Sequence, residues 1–282
     1  ISLSGNGMRI AIGSPENDGI NGLIPNAGQV QVYSRENEQN TWEQLGSDIY
    51  GYTAYDVQTG WSVSMSDDGN LIAMGAPYAI NFSDNSGVVR VVYWDEVTND
   101  WEQRGQDIFG EASYDYSGMS ISLSGDGSTL AIGSKHNDGS GFESSGHVRI
   151  YKWDEPTSAW VQMGADIDGD AEEDYSGLSV SLSSDGQVAA IGTPGSDFPA
   201  DRAGHVRIMT WNSDVGDWVQ KGEDIHGEEE QDYSGEAVSI SGDGDIVAVG
   251  SPYNNSGGEG SGKVRVFKWD DGLNAWVTQG QN

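Results

Sequence analysis

Apolar and polar positions along this chain follow strand-like patterns, and no helical period separates them. The segments SVSMS, SISLS, SVSLS and AVSIS alternate strictly, which predicts strands with two unlike faces. They run into Asp68-Gly69, Asp126-Gly127, Asp185-Gly186 and Asp243-Gly244, with Asn6-Gly7 earlier in the chain. Such dipeptides predict hairpins with type I′ turns, because both central positions of that turn need positive φ. Continuous apolar runs follow: RIAIGSP, LIAMGAP, TLAIGS, VAAIGTP and IVAVGSP. They suit strands covered on both faces. A third strand reads VQVYS, VRVVYW, VRIYKW, VRIMTW or VRVFKW, and a fourth WEQLG, WEQRG, WVQMG, WVQKG or WVTQG.

These segments are five copies of one unit. The second-strand glycine recurs at Gly13, Gly75, Gly133, Gly192 and Gly250. A glycine opens strand three at Gly28, Gly87, Gly146, Gly204 and Gly262, and strand four carries Trp42, Trp101, Trp160, Trp218 and Trp276. Another glycine precedes strand one at Gly60, Gly118, Gly177 and Gly235. Four antiparallel strands per copy, repeated at a fixed period, predict an all-β fold, a five-bladed β-propeller of four-stranded antiparallel blades. It is read as a single domain, 1–282, with repeats at approximately 1–59, 60–117, 118–176, 177–234 and 235–282. The rival reading is a fragment of a longer ring.

The composite motif G-x-S-V-S…D-G…A-I-G-S-P…G-x-V-R-V-Y resembles the FG-GAP repeat of integrin-α-type propellers. The GAP is literal at Gly75-Ala76-Pro77 and becomes Gly-Ser-Pro at Gly13 and Gly250 and Gly-Thr-Pro at Gly192. The resemblance spans all five copies through a short motif. It implies a propeller used in adhesion or ligand binding at the cell surface. Many repeats of that family hold Ca²⁺ in a D-x-D-x-D-G hairpin loop. Here the hairpins read S-D-D-G, S-G-D-G or S-S-D-G, so that calcium site is not carried over.

In a blade of this topology, the strand two–three loop and the blade connector share one face. All length variation falls there, as do the acidic connectors EASYDYSG, DAEEDYSG and EEEQDYSG. Variable loops on a rigid scaffold carry function, so this face is the expected working surface. The candidate ligand residues are Asp56, Asp115, Tyr116, Asp174, Tyr175, Asp232, Tyr233 and Trp61, the last a tryptophan outside the repeat pattern. Carboxylates suit a hard cation and tyrosine faces suit a sugar. The competing reading makes the aspartates turn caps and packs the tyrosines between blades.

Arg90, Arg149, Arg207 and Arg265 share one register of strand three, with Gln31 in the first copy. Asp48, Asp107, Asp166 and Asp224 recur six residues after each tryptophan, and Asn282 matches them. A structural Arg–Asp ladder explains both, since guanidinium is a rigid bidentate fork. His147 and His205 occupy a position that holds Gln29, Val88 and Lys263 in the other copies, a range that argues against a metal ligand. Asn81-Phe82-Ser83 and Asn254-Asn255-Ser256 are glycosylation sequons.

The 45 acidic and 13 basic residues give a net charge of −32, which excludes nucleic acid and anionic lipid as partners. There is no cysteine, hence no disulfide or thiolate site. No apolar run is long enough to span a bilayer. The chain starts at Ile1 inside a repeat, which reads as a cut or processed end. No G-x-S-x-G elbow, H-E-x-x-H or phosphate-cradling loop occurs, and the copies look alike, whereas a catalytic centre breaks symmetry. The expected function is therefore a non-enzymatic extracellular or cell-surface module for adhesion or carbohydrate binding. It would recognise a glycan or protein, with Ca²⁺ allowed and no other cofactor. The alternatives are a structural subunit of a surface assembly or filament, with self-assembly, and a polysaccharide-active enzyme.

Overall fold

The computed structural model describes residues 1–35, 41–51, 57–80 and 84–280. They form five sheets of four or five antiparallel strands, one sheet per repeat. The chain makes two compact units, Ile1–Ile132 with Tyr151–Val161, and Gly133–Ile150 with Gln162–Asn282. The second sheet shows the common plan: Ser62–Met65, Leu71–Ala76, Val88–Asp95 and Asp100–Gln103, each paired with the next.

The sequence pattern predicts four strands per sheet, and the first four sheets have a short fifth. It returns to the start of strand three. In the fourth sheet, residues 209–212 of strand three pair with Asp217–Gln220, and residues 205–206 pair with Ile225–His226. Gly222 turns the chain between them at φ +80°. A Cβ on Gly222 would also lie 2.7 Å from the Trp269 ring. Positive φ and close approach together demand glycine there.

The hairpin turn after strand one is also different from the prediction. Gly69 lies at φ +72°, but Asp68 is not in the positive-φ region. Gly69 donates its N–H to the Ser66 carbonyl at 2.9 Å. This is a four-residue turn closed by a left-handed glycine, not a two-residue type I′ turn. Ser66 Oγ donates to Asp68 Oδ1, which also accepts the Asn70 N–H at 2.9 Å. The same bonds recur at Ser124/Asp126, Ser183/Asp185 and Ser241/Asp243. The aspartate is thus a turn cap.

Successive sheets are joined by the polar residues of strand one. Ser62 Oγ donates to the Gly118 carbonyl and Ser179 Oγ to that of Gly235, both at 2.7 Å. Ser2, Ser64 and Ser181 accept the backbone N–H of Met65, Leu123 and Ile240. The repeated tryptophans do the same. The indole N–H of Trp101 reaches the Leu45 carbonyl at 2.9 Å, that of Trp160 reaches Arg104 at 3.0 Å, and that of Trp218 reaches Met163 at 2.8 Å. A Cβ on Gly75 would lie 2.1 Å from the Gly118 carbonyl oxygen, so these backbones pack as only glycine allows. In the first unit, Leu71, Val89, Val91, Leu123, Leu130 and Ile132 form a buried core between sheets. In the second, Val206, Ile208, Ile225, Val247, Val249 and Phe267 do so.

Candidate functional site

The connector aspartates Asp115, Asp174 and Asp232 are buried, at 2 %, 3 % and 1 % exposure. Each uses Oδ2 to accept two backbone N–H groups, for example those of Glu228 and Glu229 at 2.9 Å for Asp232. Burial pushes the Asp174 carboxyl above the usual carboxylate range, against the pull of these bonds. Tyr116, Tyr175 and Tyr233 follow at positive φ. They pack edge-on against Tyr78, His136 and Tyr253, with ring centroids 5.3, 5.4 and 5.3 Å apart. Trp61 is half-exposed and packs edge-on against Tyr78. Asp56 and the sequon Asn81-Phe82-Ser83 lie outside the described residues, as does Asn282. Asn254 is buried and donates its amide to Asp232 Oδ1 at 2.9 Å, so its sequon is not accessible in this fold.

The arginine register takes a different form in each copy. Arg90 makes two parallel bonds to Asp107, at 2.8 and 2.5 Å, and Gln31 donates to Asp48 at 2.9 Å. Arg207 contacts Asp224 at 3.5 Å but also binds Asp170 and the Asp168 carbonyl. Arg265 donates to the His226 carbonyl and to Ser234 Oγ, with Glu228 3.7 Å away. Asp166 accepts from Gln162, and Arg149 is buried at the same register.

Beside this register lies a site that the sequence reading passed over. The first residue of strand three faces the second residue of strand five, as Gln29 with Tyr50, Val88 with Phe109, His147 with Asp168 and His205 with His226. The framework is constant there and the chemistry is not. His205 is 3 % exposed, and its Nε2 stands 3.8 Å from Asp224 Oδ2. Neither of its ring nitrogens has a hydrogen-bond partner among the described residues, and neither does the buried Nδ1 of His226. Burial pushes the His205 imidazole down to about 4, against the Asp224 carboxylate. His147 is pushed to about 4 by burial and then by the Arg149 charge. Both are therefore neutral at pH 7.

A cleft of about 660 Å³ opens at Asp224 and His226, with His205 outside its lining. Asp224, His226, Arg265 and Trp276 line it, with Leu273 and Asn274 from the strand three–four turn. Its walls come from strands and from that turn, not from the strand two–three loops. The sequence signal for it was a register at which the copies disagree.

No protein-family model matches the chain, and no curated sequence matches it significantly. Solved structures do. The hydrazine synthase of Kuenenia stuttgartiensis aligns with TM-score 0.55 and 16 % identity over 96 % of this chain and 63 % of its own. The periplasmic gluconolactonase of Pseudomonas aeruginosa gives 0.58 and 14 %, over 100 % and 70 %. A candidate 6-phosphogluconolactonase from Bacteroides uniformis gives 0.57 and 11 %, over 99 % and 83 %. At these identities the likeness is one of fold, and the chain spans less than two thirds of the hydrazine synthase chain.

The comparison corrects the expected function. Chains of this fold include proteins described as enzymes, so the reading of a non-enzymatic adhesion or carbohydrate-binding module is withdrawn, together with its structural-subunit alternative. Likeness of the copies weighs against a catalytic centre only where it holds, and the copies are not alike at the position of His205 and His226.

Proposed function

We propose that the five sheets are the blades of one five-bladed β-propeller, 1–282, built from FG-GAP-like repeats. We further propose that the chain is a hydrolase of cyclic esters, acting in the cleft of Asp224, His226 and Arg265. The carrying observation is the meeting of imidazole, carboxylate and guanidinium in one cleft, with the imidazole at a register where the copies differ. Lactones are the substrate class to test, because two proteins of the same fold are described as lactonases.

Lactone hydrolysis adds water to an ester carbonyl, removes a proton from that water, and returns a proton to the leaving ring oxygen. His226 lines the cleft and supplies an imidazole for both transfers. Arg265 places positive charge where the carbonyl oxygen becomes an anion. Asp224 is fixed by Gln220, at 2.8 Å, and by Arg207. The cleft also carries Glu223, and the chain is strongly acidic, so an uncharged lactone suits it better than a phosphorylated one. The acidity also keeps nucleic acid and anionic lipid outside this reading, and an extracellular setting belongs to it.

The test is release of acid from glucono-δ-lactone above the spontaneous rate. Wild type should accelerate it, and H226F, which copies Phe109 of the second repeat, should lose about 10²–10⁴-fold in kcat/KM. Absence of acceleration with any δ-lactone would overturn the reading.

A further inference from the structure

We propose that His205, His226 and Asp224 form a binding site for a divalent transition-metal ion of the zinc class. Three observations meet here. First, the His205 ring is almost fully buried with both nitrogens unpartnered. Buried polar atoms without a partner are rare in folded proteins and mark a missing water or ion. Second, Nε2 of His205 is 3.8 Å from Asp224 Oδ2. That is beyond a hydrogen bond. It is close to the spacing of two ligands on one ion, since Zn–N and Zn–O bonds of about 2.0–2.2 Å set tetrahedral neighbours roughly 3.4 Å apart. Third, His226 is directly opposite His205 on the paired strand, with ring centroids 5.8 Å apart and its Nδ1 buried and unpartnered. The His226 ring stands outside ligand distance as placed, and a turn of that ring toward Asp224 would complete a set of two nitrogens and one oxygen.

The surroundings support Asp224 as a ligand. Its Oδ1 accepts from Gln220 Nε2 at 2.8 Å and from Arg207 Nε at 3.5 Å. Those bonds orient the carboxylate and leave Oδ2 toward His205, as outer hydrogen bonds do around metal ligands. Two imidazoles favour zinc-class ions over calcium, which prefers an all-oxygen shell. Three protein ligands leave a fourth position for water. In the second repeat the same positions hold Val88, Phe109 and Asp107, and Arg90 occupies both carboxylate oxygens.

The proposal concerns ion binding and stands apart from the hydrolase reading, since a zinc-bound His226 has no free nitrogen with which to move the proton. A chain that binds zinc but opens no lactone keeps the site and loses the reading. The experiment is Co²⁺ and Zn²⁺ titration of the full chain after chelator treatment, by visible absorption and calorimetry. One ion per chain is expected, with a Co²⁺ spectrum of mixed nitrogen and oxygen ligation. H205V/H226F should weaken binding at least a hundredfold while keeping the wild-type circular dichroism. In wild type alone, zinc should shift the ¹⁵N resonances of His205 and His226. The proposal is overturned by no binding at micromolar metal, by unchanged binding in H205V/H226F, or by zinc shifts at His136 or His147 in place of His205 and His226.

Discussion

In the second repeat, Val88 faces Phe109 and Arg90 holds Asp107 with two parallel bonds. In the fourth, His205 faces His226 at the same register, and Arg207 divides itself among Asp224, Asp170 and the Asp168 carbonyl. The strand pairings are otherwise alike, and so are the tryptophan N–H bonds to the preceding sheet. What both repeats share is what the fold requires. What only the fourth has must be explained by something other than the fold, because an apolar pair serves the same backbone.

The sharpest way to test the shared part is to remove it. Trp218→Ala should cost about 3–5 kcal/mol, since it deletes a large buried ring and its N–H bond. Trp101→Ala should cost less, because that ring is only partly buried. Chemical denaturation of both variants measures the difference, and equal losses would break the comparison.

The next effect depends on pH. Unfolded histidine takes its proton near 6.5, whereas folded His205 does so only at about 4. Between those values the unfolded chain binds more protons, so stability falls as pH drops through the window. The loss from His205 approaches about 3 kcal/mol by pH 4, with a similar share from His147. His205→Val should remove about half of this dependence, measured as unfolding free energy of the chelator-treated chain at pH 7 and pH 4.5. An unaltered pH profile in that variant would contradict the buried neutral imidazole.

Asp232→Ala strands the N–H groups of Glu228 and Glu229 and should cost about 1–3 kcal/mol. Asp115→Ala in the second repeat should cost a similar amount, because Asp115 caps the same turn. Thermal unfolding checks both, and markedly unlike losses would assign the two aspartates different roles. The smallest effect belongs to Arg90→Lys, which keeps the charge and loses the fork. A loss of about 1 kcal/mol is expected in a denaturant titration, and an unchanged midpoint would show the paired bonds to be dispensable.

The five sheets were legible in the sequence because their contacts recur. The glycines at 75 and 118 meet backbone to backbone, and Trp101, Trp160, Trp218 and Trp276 each answer a carbonyl in the preceding sheet. The fifth strand was not legible, because two residues such as Ile225 and His226 have no period to read. The connector aspartates read from the sequence either as ligands or as turn caps, and the fold adds that they are buried, each Oδ2 accepting two backbone N–H groups. The histidines were set aside because the other copies hold Gln, Val and Lys at that position. In a repeat protein that rule works in reverse: the framework is what repeats, and a site is what departs from it.

Lactone hydrolysis by wild type and by H205V/H226F, measured beside their melting temperatures, tests most directly whether the histidine pair is the working part of the chain. Loss of at least a hundredfold in kcat/KM at a preserved melting temperature is predicted. Equal rates from the two proteins would contradict it.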